Sequence, residues 1–355
     1  MNGTNKQKSL IDISVLLVFF TRHETFAKVF DVVKQVRPAR LFLYQDGPRE
    51  ARPDDIENIA KCLKIAADID WECEVKTLYQ EKNVGCDPSG YIAHTWAFSQ
   101  TDKCIVIEDD VVPTLSFFYF CKAMLDKYED DDRIMLISGF NPEEQTPVKS
   151  DYFFSATTFT WGWASWARVV NDWDEEYLFL DDEEKCRQIH DYIRRKHLVK
   201  NMLNVFRAHR ATGKPHFETI LIANQYCHKG LTIVPQKNMV NNIGVTGNST
   251  HYADDIALLP KGLRRIFTMN RYETVGFTNG MSITEYEGLL KPPNEISDYE
   301  AYRKRTYRIY GWGHPVVKIW RLVESTFYKL VRGDLKGIFA DVKDKFGKLI
   351  SHRAS

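Results

Sequence analysis

Short runs of β-branched and aliphatic residues alternate with amphipathic stretches of helical period through the first third of this 355-residue chain, and that alternation most narrows what it can fold into. The runs at 13–20, 40–44, 73–79 and 103–107 read as strands, and the stretches at 24–36, 53–67 and 91–99 between them read as helices. A helix between successive strands is the crossover a parallel pair requires, so the expected fold is α/β, Rossmann-like, with a mostly parallel sheet covered by helices. Ligands of such sheets sit outside the carboxyl ends of the strands. The segments found there are Thr21-Arg22-His23, Gln45-Asp46-Gly47-Pro48, Glu81-Lys82-Asn83-Val84-Gly85 and Glu108-Asp109-Asp110. All four are polar, acidic or glycine-bearing.

Beyond residue 113 the pattern changes. The stretch 134–253 is less regular and rich in aromatic residues, among them Tyr152, Phe153, Phe154, Phe159, Trp161, Trp163, Trp166 and Trp173. Residues 254–300 carry Pro260, Gly262, Gly276, Gly280, Pro292 and Pro293 and read as an irregular connection. The last part, 301–355, has apolar stripes of helical spacing broken at Gly333. It holds 13 Lys/Arg against four Asp/Glu, a net +9 that offsets a net −9 elsewhere in a chain with 48 of each sign. The expected organisation is a domain over 10–253, with a nucleotide-binding half at 10–113 and an acceptor half at 134–253. The connection and a basic helical appendage follow it.

Those balances exclude some classes. With 44% hydrophobic and 27% charged residues the chain is a folded globule rather than a disordered one, and it is not a uniformly basic nucleic-acid coat. Seven scattered cysteines without a CxxC pair read as reduced thiols of a cytoplasmic protein. The single early apolar run falls far short of the roughly 20 residues of a spanning helix and has no cleavage site after it. The tail, through 316–350, has the character of amphipathic helices that lie on an anionic membrane surface, here the inner face of the cytoplasmic membrane. Packing on the main domain or forming a dimer is the equal alternative for those helices.

The sharpest local signal is Glu108-Asp109-Asp110, flanked on both sides by apolar residues. Carboxylates grouped near a core are costly unless a cation or hydrogen bonds compensate them. Hard oxygen ligands of this kind suit Mg²⁺ or Mn²⁺ held by one or two carboxylates and the phosphates of a substrate. By contrast, Asp130-Asp131-Asp132 lies in a polar stretch and reads as a solvated turn.

Taken in order, Thr21-Arg22, Tyr44-Gln45-Asp46-Gly47-Pro48, Glu81-Lys82-Asn83-Val84-Gly85, Ile107-Glu108-Asp109-Asp110, Ser138-Gly139-Phe140-Asn141 and Thr160-Trp161-Gly162-Trp163-Ala164-Ser165-Trp166 resemble bacterial GT-A glycosyltransferases. The resemblance is to the branch related to N-acetylglucosaminyltransferase I, whose metal motif is likewise Glu-Asp-Asp. It continues through Asn241-Asn242-Ile243-Gly244 and Gly247-Asn248-Ser249-Thr250-His251, covering roughly 12–253 and leaving out the tail. It implies the GT-A nucleotide-diphospho-sugar transferase fold and a UDP-sugar donor, such as UDP-GlcNAc. Arg22, Asp46, Gly47, Asn83 and Gly85 would then line the nucleotide pocket, Glu108 and Asp109 would face the ribose and donor sugar, and Asp110 would bind Mn²⁺ or Mg²⁺.

The same resemblance places the catalytic base of an inverting transfer at Glu218, within Pro215-His216-Phe217-Glu218-Thr219. That residue reads equally as a helix N-terminal acid. His251 is implied as a further metal ligand, and Trp163 as a contact of the donor sugar. The acceptor implied is a glycan or lipid-linked glycan of bacterial surface polysaccharide assembly. A sugar nucleotidyltransferase should carry a glycine-rich basic loop after its first strand, where this chain has Thr21-Arg22-His23-Glu24. A silent glycan- or nucleotide-binding module has no need of an intact acidic triplet.

Overall fold

A computed structural model of the protein describes residues 6–199, 201–245 and 261–310, together with 323, 326, 327, 330 and 331. The chain divides into two compact units, Met1–Gly244 with Met269–Thr306, and Val245–Thr268 with Tyr307–Ser355. His251 and nearly all of the 316–350 stretch lie outside the described residues. Among those described, no helix is long and apolar enough to cross a membrane.

The first unit has the expected α/β architecture. Its opening strands are β1 (Ile11–Phe19), β2 (Pro38–Gln45), β3 (Glu74–Tyr79) and β4 (Lys103–Glu108), with α1 (His23–Val36), α2 (Asp54–Ala66) and α3 (Cys86–Phe98) between them. There follow β5 (Val111–Pro113), α4 (Leu115–Lys127), β6 (Ile134–Ser138), β7 (Tyr152–Ser155), β8 (Trp163–Trp166) and α5 (Ala167–Val170). Next come α6 (Glu183–Arg195), α7 (Met202–Arg210), α8 (Phe217–His228), β9 (Leu231–Pro235) and β10 (Val240–Asn242). The eight-stranded sheet has the order β3-β2-β1-β4-β8-β6-β9-β7, and β5 pairs with β10 in a separate two-stranded sheet. Within the large sheet only β7 and β8 run against the other strands.

Helix α1 shows why these residues fold this way. Its buried face comprises Phe26, Val29, Phe30, Val33 and Val36, spaced three and four apart, and the Phe26 ring stacks on Phe19 of β1 at 4.4 Å. Each large apolar side chain removed from water in this way contributes about 1.5–3 kcal/mol. The helix ends at Arg37, which turns left-handed at φ 49° while its N–H bonds to the Val33 carbonyl, and β2 begins at once.

Part of the expected connection over 254–300 belongs to the first unit. Glu273 accepts from the backbone N–H groups of Leu115 and Ser116 at 2.9 and 2.7 Å, filling orphan donors at the start of α4. After α9 (Lys261–Thr268), which lies in the second unit, α10 (Ile283–Leu289) starts with a capping box made by Ser282 and Glu285. Helix α11 (Glu300–Tyr310) follows. Helix caps and buried rings order this segment together, since Tyr286 is fully buried and packs with Phe277 on Tyr119 of α4.

The core under α3 is aromatic and holds one ionisable ring. His94 is 1% exposed, its ring centroid 5.2 Å from Trp163, 5.8 Å from Trp173 and 4.7 Å from Phe217, and neither ring nitrogen has a hydrogen-bond partner among the described residues. Burial lowers its pKa to about 3, so the native state keeps the imidazole neutral. The unfolded chain takes up a proton near pH 6.5 that the native state refuses. Stability is therefore lost as the pH falls below that value, by up to about 1.4 kcal/mol per pH unit. Urea unfolding between pH 5 and 7.5 should show a shallower pH slope for His94→Leu than for the parent. Equal slopes would refute the assignment.

Candidate active site

Strand order locates the site. From β1 the chain winds outward through β2 to β3, then returns to place β4 on the other side of β1, so the connections leave β1 and β4 in opposite directions. Such a switch point opens a crevice at the carboxyl ends of the two strands. The pair is in register, Val18 opposite Glu108, so that Thr21-Arg22 and Asp109-Asp110 emerge side by side.

The side chains there form an ion cluster. Arg22 donates through Nη1 to Asp110 Oδ2 at 2.6 Å and through Nη2 to Asp109 Oδ1, and the Phe20 N–H reaches Asp109 Oδ2 at 3.2 Å. Both aspartates are buried, Asp109 to 2% exposure. Burial pushes the Asp109 carboxyl above its ordinary range, with Arg22 opposing the rise and Asp110 adding to it. For Arg22, burial disfavours the charge, but Asp109 and Asp110 together outweigh it and hold the guanidinium above its usual pKa. Half-buried Glu108 is raised too, first by desolvation and then by the neighbouring Asp110 and Glu218 carboxylates.

Glu218 is thus brought to the triplet across more than a hundred residues of chain. It lies in the first turn of α8 and accepts from Thr160 Oγ1 at 3.5 Å. Its helix is fixed at that end by Thr219, whose hydroxyl meets Tyr177 Oη and His209 Nδ1, each at 2.7 Å. Phe217 packs so tightly on α3 that a Cβ at Gly90 would collide with its ring.

Asp110 is held from the other side by β10. The Ile243 N–H bonds to the Asp110 carbonyl at 2.8 Å, and Asn242 Nδ2 reaches Asp110 Oδ1 at 3.4 Å. Gly244 lies so close that a Cβ there would overlap Asp110 Oδ2 and press on Arg22. Asn242 and Gly244 belong to the motif order quoted above, but the sequence attached no role to them. Only the pairing of β5 with β10 reveals it.

The neighbouring loops along the same sheet edge form a clasp. Asp46 Oδ1 accepts from the Gly47 and Val84 N–H groups at 2.8 and 2.9 Å, and Oδ2 from Asn83 Nδ2 at 2.7 Å and the Gly85 N–H at 3.2 Å. Four donors use the acceptor capacity of one carboxylate. In this arrangement Asp46 and Asn83 shape the loops, with both Asp46 oxygens and Asn83 Nδ2 engaged inside the clasp. Burial still holds the Asp46 pKa above its ordinary value. Gly47 permits the closeness, since a Cβ there would strike the backbone of Lys82, and Gly85 turns at φ 93°.

Trp163 departs from expectation. It is 1% exposed in β8, opposite Val106 of β4, with its ring stacked near Phe98 and Trp173. A side chain enclosed in this way cannot stack on a sugar, so Trp163 is a core residue. Half-buried Trp161 lies against Phe140, with ring centroids 4.7 Å apart.

The donor set available to a metal is small. Among the described residues no three His, Cys, Asp or Glu side chains group to hold an ion. What the cluster offers is the Asp109–Asp110 pair of hard oxygens, with Asp110 Oδ1 engaged only by the long Asn242 bond. Such a set could give a Mg²⁺ or Mn²⁺ ion only one or two of its oxygen ligands, the rest having to come from a bound substrate or water.

No protein family and no curated protein matches this sequence. Many solved structures overlap with the chain, among them the following two. Mouse xyloside xylosyltransferase 1, in its apo form, has a TM-score of 0.35 at 11% identity over 63% of this chain and 85% of that one. A UDP-glucose pyrophosphorylase complexed with UDP-glucose has a TM-score of 0.31 at 7% identity over 65% of this chain and 93% of that one. Likenesses this slight do not say what this chain does.

Removing Arg22 leaves two buried carboxylates without a counter-charge. Arg22→Gln should cost about 3 kcal/mol of stability near neutral pH. Because the Asp109 pKa is already raised, the loss should shrink as the pH falls and the carboxyl takes up a proton. Urea unfolding of parent and variant at pH 5 and pH 7.5 measures this, and a loss of the same size at both would contradict it.

Proposed function

We infer that the protein is a glycosyltransferase that moves a sugar from a nucleotide-sugar, UDP-linked, to the hydroxyl of a glycan or lipid-linked glycan acceptor, with inversion. The observation that carries this reading is the acidic triplet at the β1/β4 switch point with Glu218 beside it. The ordered motifs that resemble GT-A enzymes add the nucleotide-sugar and the polysaccharide context. The same motifs include a Glu-Asp-Asp triplet, which here ends a parallel strand as a nucleotide site on this kind of sheet would require.

In this reading Asp110, with oxygens of the donor diphosphate, would hold Mn²⁺ or Mg²⁺, which when bound supplies positive charge against the departing nucleoside diphosphate. The chain's own groups do the rest. Glu218 accepts the proton of the acceptor hydroxyl as its oxygen bonds to the anomeric carbon. The carbon–oxygen bond to the diphosphate breaks, and its electron pair leaves with the nucleotide. Glu108 and Asp109 present carboxylates toward a carbon that gains positive character. The clasp of Asp46, Gly47, Asn83 and Gly85 walls the nucleotide side.

A panel of UDP-, GDP- and dTDP-sugars, titrated with and without Mn²⁺ or Mg²⁺ and followed by slow hydrolysis, tests the proposal. A metal-dependent preference for one UDP-sugar is expected. Asp110→Ala should lose that binding, whereas Glu218→Gln should keep it and lose turnover by at least about a hundredfold. Failure of every nucleotide-sugar to bind under any metal condition would overturn the reading.

A further inference from the structure

At the opposite end of α8 from Glu218, about 16 Å along the helix axis, lies a cavity of about 440 Å³ lined by Arg195, Lys196, Lys229 and Arg303 with Asp298 and Glu300. We propose that this cavity is a binding site for a phosphate group, separate from the switch-point cluster. The charges do not cancel within it: four cations meet two carboxylates, and those carboxylates are already committed. Asp298 Oδ1 accepts from the Ala156 N–H at 3.0 Å, and its Oδ2 takes Lys196 Nζ at 3.1 Å and Arg303 Nε at 3.2 Å. Glu300 pairs with Lys304 at 3.1 Å and with Arg303 Nη2 at 3.7 Å.

The remaining donors are left over. Lys229 has no ion-pair partner among the described residues. Arg195 spends only Nε, on the Asp191 carbonyl at 3.3 Å. Arg303 is 1% exposed, yet its Nη1 has no hydrogen-bond partner among the described residues. A buried guanidinium with an unmatched N–H calls for an acceptor, and a phosphate oxygen supplies one. The space equals on the order of a dozen waters of about 30 Å³ each, enough for a phosphate and part of the group that it esterifies.

Arg195 and Lys229 are exposed, so Arg195→Gln with Lys229→Gly can remove two of the four charges without touching the buried Arg303. Calorimetric titration with inorganic phosphate and with glucose 1-phosphate should show saturable binding to the parent, weakened about tenfold or more in the double variant. Thermal melting of the variant confirms that it is folded. Vesicles of phosphatidic acid, against vesicles of phosphatidylcholine alone, separate the two sources of such a group. Capture by the acidic vesicles that is lost in the double variant assigns the site to a lipid headgroup, and binding of the soluble esters without vesicle capture assigns it to a soluble phosphoester. No saturable binding of any of these probes, or binding unchanged in the double variant, overturns the proposal. None of these readouts depends on sugar transfer, so the site stands or falls apart from the transferase reading.

Discussion

The twin ion pair of Arg22 with Asp109 and Asp110 is the interaction on which the site depends. It joins the residues that leave β1 to those that leave β4, across the point where the sheet's winding reverses. Either aspartate alone in that position would be costly, since a buried carboxylate without a partner shifts its pKa or destabilises the fold. One guanidinium, planar and five-donored, serves both at once, which a lysine could not do with the same geometry. The small β5/β10 sheet then fixes Asp110 by its backbone, leaving the carboxylate orientation to Arg22 and Asn242.

Around that pair the walls are set by close approach rather than by bulk. Gly47 lets one loop lie on the backbone of Lys82, Gly244 lies against Asp110, and Gly90 admits the Phe217 ring that carries Glu218 into place. The Asp46 clasp adds hydrogen bonds where the loops have little apolar surface to bury. A crevice built this way has geometry that a single added methyl group can disturb, which is what a site needing fixed distances requires.

Much of this was legible in the sequence, for reasons that differ by residue. Strands β1, β2 and β4 show themselves because a parallel sheet buried on both faces demands continuous apolar runs separated by crossover helices, whereas β3 is a largely exposed edge strand. The triplet stands out because its flanks are apolar while it is not. Trp163 misleads because an aromatic next to a glycine looks the same in a binding loop and in a buried strand. Only the insertion of β8 between β4 and β6 decides it. The sequence marks Asp46 as a pocket residue but not as the centre of a clasp, because its partners, Asn83 to Gly85, lie almost forty residues away. The ordering of 269–306 was hidden for a related reason: Glu273 caps a helix more than 150 residues earlier, and no local pattern records such a bond.

Charge balance constrains how the proposed reaction could begin. Glu108, Asp109 and Asp110 gather around one guanidinium, with Glu218 beyond Glu108, so the crevice is negative before any ligand arrives. A nucleoside diphosphate is itself an anion, and it would meet repulsion where it must bind. Arg22 offsets part of that charge, and the strain of the rest shows in Glu108 and Asp109, both held above the usual carboxylate range by burial and by their neighbours. The remainder calls for a cation that enters with the donor, or for Arg22 to turn from Asp110 toward the phosphates. Either route starts from the Asp110 carboxylate, whose Oδ2 is bound to Arg22 and whose Oδ1 is held only by a long bond from Asn242. The loosely held oxygen is therefore where a cation can be accepted without first dismantling the ion pair that keeps β1 and β4 together.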